Sequence, residues 1–507
     1  MGKGTLFGVF SNLTTVGTRL ITVPIIIGHL GLGGYGIWSI IMTSAGYMRF
    51  GTAGLKSAFQ KYVAEAMADG NFDRANKLLT TGSLAMLVFS FVGLIPVTLF
   101  AAPLARHAGV PLEFLDATAG AITLLAVIMV LSNFAAVFEA IVMGAQRVDI
   151  TRKFAIVLSL LECGAIITCI RLGHGLLAMT AVMAASEVVF IVCCYAASRR
   201  LLPQLRIALR HWSNGVIGEL IRFAGSYQLV NILEILYASI LPFAILRLFG
   251  AQMSGLYAVS TRLVAAATTV QNASVLPLLS GGALVFASGA SEQLKSLLKK
   301  AFKWTTVVTA CPVAFVASLG STFVLAWTGQ NDPLFGPALC LLSVAAFFNA
   351  ISMTGLIMYR ATGAALLDNV RQVLRIVILV AVVFVGKTLG FFGLLSGLAI
   401  AEFLGALFML YVLKKEIPVF SPSELIPDTL KILGTVCVAL VIGRVAGGIP
   451  IPWLAAGRFE AFVRIGMAGT AFVAAFLPMA LIARCLSAAE RDAMLGVFLP
   501  GRRRALI

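Results

Sequence analysis

Residues 31–38, Gly31-Leu32-Gly33-Gly34-Tyr35-Gly36-Ile37-Trp38, join an apolar block at 5–28 to a second block that runs on to residue 54. The pattern returns 219 residues later as Gly250-Ala251-Gln252-Met253-Ser254-Gly255-Leu256-Tyr257, with both outer glycines and the aliphatic-aromatic pair kept. At the same offset Gly70, Asp73, Leu78 and Leu79 fall on Gly289, Glu292, Leu297 and Leu298. Each match alone is weak among glycine- and leucine-rich segments. Two at one offset, each between corresponding apolar blocks, argue for a chain built from two related halves.

The apolar blocks decide the element type. Crossing ~30 Å of hydrocarbon at ~1.5 Å per residue takes about 20 residues of helix. Blocks of that order lie at 5–28, 33–54, 78–101, 119–144, 154–172, 176–197, 221–248, 252–284, 302–325, 335–359, 370–388, 390–412, 431–448 and 460–484. These are too long for barrel strands. The expected fold is an all-α polytopic membrane protein with about fourteen transmembrane helices. Six form a bundle over residues 1–214, six a second bundle over 215–412 around a central cavity, and two more, with a basic tail, occupy 413–507. Composition agrees, because 60% hydrophobic and 12% charged residues leave far too few charges for a soluble surface, which carries about 25%.

The net charge of +17 does not indicate nucleic acid, because the Lys and Arg recur between apolar blocks instead of clustering on one solvated face. They report orientation. One set of loops and both chain ends hold 27 of the 38 basic residues, Arg371 and Arg375 counted among them, while the opposite loops hold six. Basic residues are retained on the cytoplasmic side, so both termini are expected there. The block at 5–28 lacks the small-residue cleavage site of a secretory signal and is expected to remain as the first span. The eight cysteines fall in or at the ends of apolar spans, with no Cys/His metal pattern. No phosphate-binding GxxxxGK[ST] loop is present. We therefore expect no metal, no cofactor and no enzymatic activity, with transport driven by an ion gradient, the membrane potential or substrate flux. A polymerase or ligase would need a large outward loop, and the longest here is about residues 102–118.

The run from Leu30-Gly31 to Trp38, then Gly51-Thr52-Ala53-Gly54-Leu55, then Lys61-Tyr62-Val63-Ala64-Glu65-Ala66 with Gly70 following, resembles the opening of bacterial polysaccharide repeat-unit flippases of the Wzx type. These belong to the superfamily that includes multidrug (MATE) exporters and the lipid II flippase MurJ. The resemblance is specific over residues 1–100. Arg49-Phe50-Gly51 stands where such proteins often carry an acidic residue before the glycine. It implies a bacterial inner-membrane protein that moves an undecaprenyl-diphosphate-linked oligosaccharide from the cytoplasmic to the periplasmic leaflet by alternating access. The implied partners are that substrate, membrane lipids, and a polysaccharide polymerase and glycosyltransferases, with no nucleic acid. A cation-coupled multidrug exporter is the alternative.

Chemistry is expected where charge is sunk in hydrocarbon, which costs several kcal/mol unless a partner or watery cavity receives it. Arg19, Arg49 and Arg262 are the candidate cavity residues for anionic substrate, because guanidinium groups match a diphosphate bidentately. Arg19 could instead pair with Glu234 or another carboxylate as a latch between bundles. Glu234, Glu187 and Glu402 are the candidates for ion coupling. Residues 56–77 read as an amphipathic helix that braces the bundle from the membrane surface.

The charge asymmetry makes a direct prediction. Alkaline phosphatase fused after Val110 should be active, the same enzyme fused after Ser213 inactive, and a C-terminal green fluorescent protein should fluoresce. The reverse pattern would invert the topology.

Overall fold

The computed structural model describes residues 3–47, 53–271, 282, 284–286, 288, 291–361, 366–417, 419–449 and 457–482. Arg49, named above, lies outside them. The described elements are all helical: α1 (Lys3–Tyr47), α2 (Ala53–Asp69), α3 (Phe72–His107), α4 (Leu112–Gly144), α5 (Val148–Arg171), α6 (Leu176–Leu201), α7 (Ile217–Ala267), α8 (Ser291–Ser318), α9 (Gly320–Thr328), α10 (Phe335–Ala361), α11 (Leu366–Phe384), α12 (Gly386–Glu416), α13 (Ile426–Gly447) and α14 (Arg458–Ile482). Short 3-10 turns sit at Leu209–His211, Asn214–Val216 and Pro422–Leu425. Helix is forced here because hydrocarbon offers no partner to an open backbone N–H or C=O.

Eleven helices are long and apolar enough to cross a membrane, and α2, α9 and α11 are not among them. Fourteen is thus an approximate count of spans. The apolar parts of α1 (Thr14–Ser44) and α7 (Asn231–Ala267) run 31 and 37 residues. At ~1.5 Å per residue these are ~46 Å and ~55 Å long, well beyond the hydrocarbon core, so each must turn back. They turn at Gly31 (φ 72°, ψ 174°) and Gly250 (φ 82°, ψ −179°), a backbone conformation open to glycine and little else. These are the two glycines aligned by the 219-residue offset. The other positive-φ glycines between spans pair in the same way, Gly109 with Gly329 and Gly173 with Gly390.

Just past the two corners the chain crosses itself backbone to backbone. A methyl group at Gly36 would overlap the Ala251 carbonyl and stand 2.6 Å from the Gly255 nitrogen, while one at Gly255 would overlap the Leu32 carbonyl. Because 32 maps to 251 and 36 to 255 at the same offset, each half presents to the other the same glycine and the same carbonyl.

The chain divides into two compact units, residues 1–259 with 368–397, and 260–367 with 398–507. In the first, α2 does more than lie at the surface. Its Phe59, Tyr62 and Val63 are buried against Leu78, Leu79, Phe138 and Ile141 of α3 and α4. It ends at Asp69, so the helix read over 56–77 is two, broken at Gly70 (φ 70°), with Asn71 capping α3 by accepting the Arg74 N–H at 3.1 Å. Lys56 and Glu139 pair at 2.5 Å between α2 and α4. In the second unit, Leu294, Leu298, Phe302, Leu356, Met409 and Leu413 form the core. Leu298 and Leu294 stand 219 residues after Leu79 and Ala75 of the first core. Outward faces carry the apolar side chains that water would expel, such as Val88 and Leu99 of α3, 63% and 68% exposed, as a lipid-facing surface requires.

Each unit also ties down the linker that follows its last bundle helix. In the first, the side chains of Asn76, Thr80 and Thr81 hydrogen-bond the backbone of Arg206, Ala208 and Ser213. In the second, Lys295 and Lys299, which stand 219 residues after Asn76 and Thr80, both bind Glu424.

Gly36→Leu should force apart a backbone crossing that has no flexible neighbour to yield, and overpacking of this kind costs about 1–3 kcal/mol or more. We expect a sharp fall in folded protein on detergent size exclusion, whereas Gly33→Ala, whose methyl would meet Ala251 at 3.5 Å, should leave the elution profile and melting temperature unchanged.

Candidate functional site

The positive-φ glycines serve as a ruler for depth, each along its own helix. At ~1.5 Å rise, Arg19 and Arg262 lie ~18 Å from Gly31 and Gly250, Glu234 ~24 Å from Gly250, Glu187 ~21 Å from Gly173 and Glu402 ~18 Å from Gly390. All are far from the helix end at which the chain turns.

Arg19 on α1 is exposed. The carboxylate in electrostatic reach of it is Glu162 on α5, which is hydrogen-bonded to Ser186 on α6. The Cys163 thiol approaches the Thr18 carbonyl at 4.0 Å, holding α1 against α5 beside this pair. The partner found here is thus a residue of the same bundle that the sequence analysis did not single out as a coupling site. Arg262, on the second arm of α7, is half-buried and has neither a hydrogen bond nor an ion pair among the described residues. Glu234 is exposed and likewise unpaired among them. Glu187 is half-buried and Glu402 is buried, with 4% exposure. Arg19, Glu187 and Glu234 belong to the first unit, Arg262 and Glu402 to the second.

The densest polar group was not foreseen. Asp368, Arg371, Gln372 and Arg375 on α11 are all buried, Arg371 completely and Arg375 to 3% exposure. Counting Arg371 and Arg375 as loop residues was therefore incorrect. Their spacing of i, i+3, i+4 and i+7 puts all four on one face of the helix. That spacing within an otherwise apolar helix was the available signal. An Arg371 Nη2 donates to Asp368 Oδ1 at 3.3 Å, and Arg375 Nη1 donates to Gln372 Oε1 at 2.8 Å. The Arg375 guanidinium also lies 3.8 Å from the ring centroid of Tyr237, on the first arm of α7. Such stacking contributes about 2 kcal/mol or more once desolvated. Tyr237 follows Glu234 by one helical turn, so the polar face of α11 docks beside a candidate coupling carboxylate.

Chemically, these groups can hold anions or pass a proton. Among the described residues no cluster of three or more metal-ligating side chains comes together, and the seven described cysteines are free thiols.

Comparison with known proteins adds the following. The family model for polysaccharide biosynthesis proteins matches residues 73–331, just over half of the chain. A curated relative from Bacillus subtilis (strain 168), the uncharacterized membrane protein EpsK, is 23% identical over 338 residues. That match covers 65% of this chain and 65% of EpsK, so the chain spans just under two thirds of that relative's length. Among solved structures, the lipid II flippase MurJ in an inward closed conformation superposes with a TM-score of 0.74 at 12% identity, over 95% of this chain and 98% of MurJ. An inward-facing multidrug resistance MATE family transporter of the MOP superfamily gives 0.68 at 16% identity, over 79% and 94%. A MOP superfamily transporter from Pyrococcus furiosus gives 0.59 at 15% identity, over 82% and 95%. The fold is that of this superfamily.

Breaking a buried ion pair by removing one partner costs about 3–5 kcal/mol, more than removing both. Asp368→Ala should therefore lower the melting temperature of the purified protein more than the double substitution Asp368→Leu with Arg371→Met does. Equal or additive losses would mean that the two side chains do not act as a pair.

Proposed function

Because this chain belongs to the family of polysaccharide biosynthesis proteins, we propose that it is an alternating-access flippase of the bacterial inner membrane, with both termini cytoplasmic. It takes the diphosphate and sugars of an undecaprenyl-linked repeat unit at the cytoplasmic leaflet and releases them at the periplasmic leaflet. The lipid tail stays in the bilayer throughout.

One observation carries this reading. Arg262 sits within a membrane-crossing helix, half-buried, with no protein group among the described residues to neutralise it. A guanidinium in that position needs an anion, and a diphosphate supplies one in the geometry that a planar fork binds best. Arg19 is exposed and sits beside Glu162, so it can exchange that carboxylate for phosphate oxygens. Arg49 is a third contact on the same reading. The carboxylates Glu234, Glu187 and Glu402 are the sites for a coupling proton or cation, and a polymerase and glycosyltransferases are the partners that consume and supply the substrate. The same Arg262 disfavours export of cationic drugs, which it would repel, although the fold also serves drug exporters.

Each charge-assisted anchor contributes about 1.5–3 kcal/mol, roughly ten- to a hundredfold in affinity. Cells carrying Arg19→Gln with Arg262→Gln at normal protein levels should lose surface polysaccharide and accumulate the lipid-linked intermediate on the cytoplasmic leaflet, with Arg262→Lys restoring part of the activity. Undiminished polysaccharide in the double variant would defeat the proposal. Loss of drug resistance alone would favour export.

A further inference from the structure

In the second unit a cavity of about 200 Å³ opens between α8, α10, α12 and the start of α13. Its walls are apolar, built by Phe302, Phe347, Phe348, Phe403, Leu410 and Leu425. It lies open at the side, because Phe403 at its wall is 40% exposed and Ile426 and Leu430 at its rim are 55% and 63% exposed. In a membrane those residues face hydrocarbon, so a chain can enter laterally from the bilayer.

The cavity has a charged end. Lys295, Lys299, Phe302 and Thr306 stand at i, i+4, i+7 and i+11 on α8, a single stripe that runs from two ammonium groups into the apolar wall. The Lys295 Nζ is 3.0 Å from Glu424 Oε1, and Lys299 pairs with the other oxygen of the same carboxylate. Glu424 lies between Pro422 and Leu425, which both line the cavity. Two lysines against one carboxylate leave an excess positive charge at the mouth.

Tying down the linker does not need that charge. The first unit does so at the matching positions with Asn76 and Thr80, which are neutral. The lysines are thus surplus to the structural task, and their surplus is positive charge set at one end of an apolar slot.

We infer that this groove is a binding site for an anionic phospholipid, one acyl chain lying among the phenylalanines and the phosphodiester held by Lys295 and Lys299 in competition with Glu424. The net charge at the mouth suits a lipid with a single negative charge.

Native mass spectrometry of the full chain in detergent tests this, with phosphatidylglycerol and phosphatidylcholine of identical acyl chains as probes. Phosphatidylglycerol should be retained about tenfold better, from roughly fivefold per lysine less the competition of Glu424. Lys295→Asn with Lys299→Thr borrows the neutral tie of the first unit and should bring retention of the two lipids level while the melting temperature holds. Ala406→Trp, filling the groove, should reduce both. Should the lysine swap fail to fold, Glu424→Gln makes the same test from the other side and should raise retention of phosphatidylglycerol. No preference between the headgroups in the native protein, or unchanged or lower retention in Glu424→Gln, would overturn the inference. So would displacement of phosphatidylglycerol by an equal concentration of undecaprenyl phosphate, which would assign the groove to the polyprenyl carrier.

Discussion

A charge placed within hydrocarbon must be neutralised by the protein or by whatever the protein carries, since no water is present to do it. This chain uses both solutions. On α11 the compensation is internal: Asp368 and Gln372 accept from the two buried arginines, and the Tyr237 ring covers the second of them. At Arg262 no described group supplies it. The first arrangement holds an element in place, and the second leaves a position that an anionic ligand can complete. The distinction rests on partners rather than on residue type, because arginine appears in both.

The two halves show how one scaffold is given different local chemistry. The backbone constraint is shared. A helix too long for the bilayer must fold back, glycine alone takes the required φ without strain, and the crossing at Gly36 and Gly255 leaves no room for a Cβ on either side. Side chains at matched positions then diverge wherever packing does not dictate them. Asn76 and Thr80 give way to Lys295 and Lys299, and the neutral hydrogen bonds of one linker become ion pairs in the other. Partly exposed ion pairs add little stability, about 0–1 kcal/mol. The exchange is hard to explain as reinforcement.

Much of this was legible in the sequence. Fourteen apolar blocks, the glycine-marked repeat and the membrane class follow from length and period alone, because hydrocarbon thickness sets a strict lower bound on a spanning helix. Arg19 and Arg262 could be named because each interrupts a long apolar run. Arg371 and Arg375 could not be read correctly by counting basic residues near span ends, since the count records distance along the chain and not which way a side chain points. Their i, i+3, i+4, i+7 spacing with Asp368 and Gln372 held the missing information. Glu162 was visible as a buried acid but not as the neighbour of Arg19. That pairing depends on how α1 packs against α5, which no periodicity in either helix specifies.

The position of α11 bears on how such a protein could move. By sequence it belongs to the second half, yet it packs into the first unit together with the opening of α12. The contacts made by its buried face are polar and directional: a guanidinium on a ring, an amide and a carboxylate. Apolar helix faces can slide by small increments, because dispersion contacts are lost and regained gradually. Charge-assisted contacts in a dry interior do not, since half-broken they leave a desolvated charge. A helix held in this way is either docked or released as a whole. The polar face of α11 therefore favours two discrete arrangements over a continuum, which is the behaviour that alternating access requires of at least one element in each cycle.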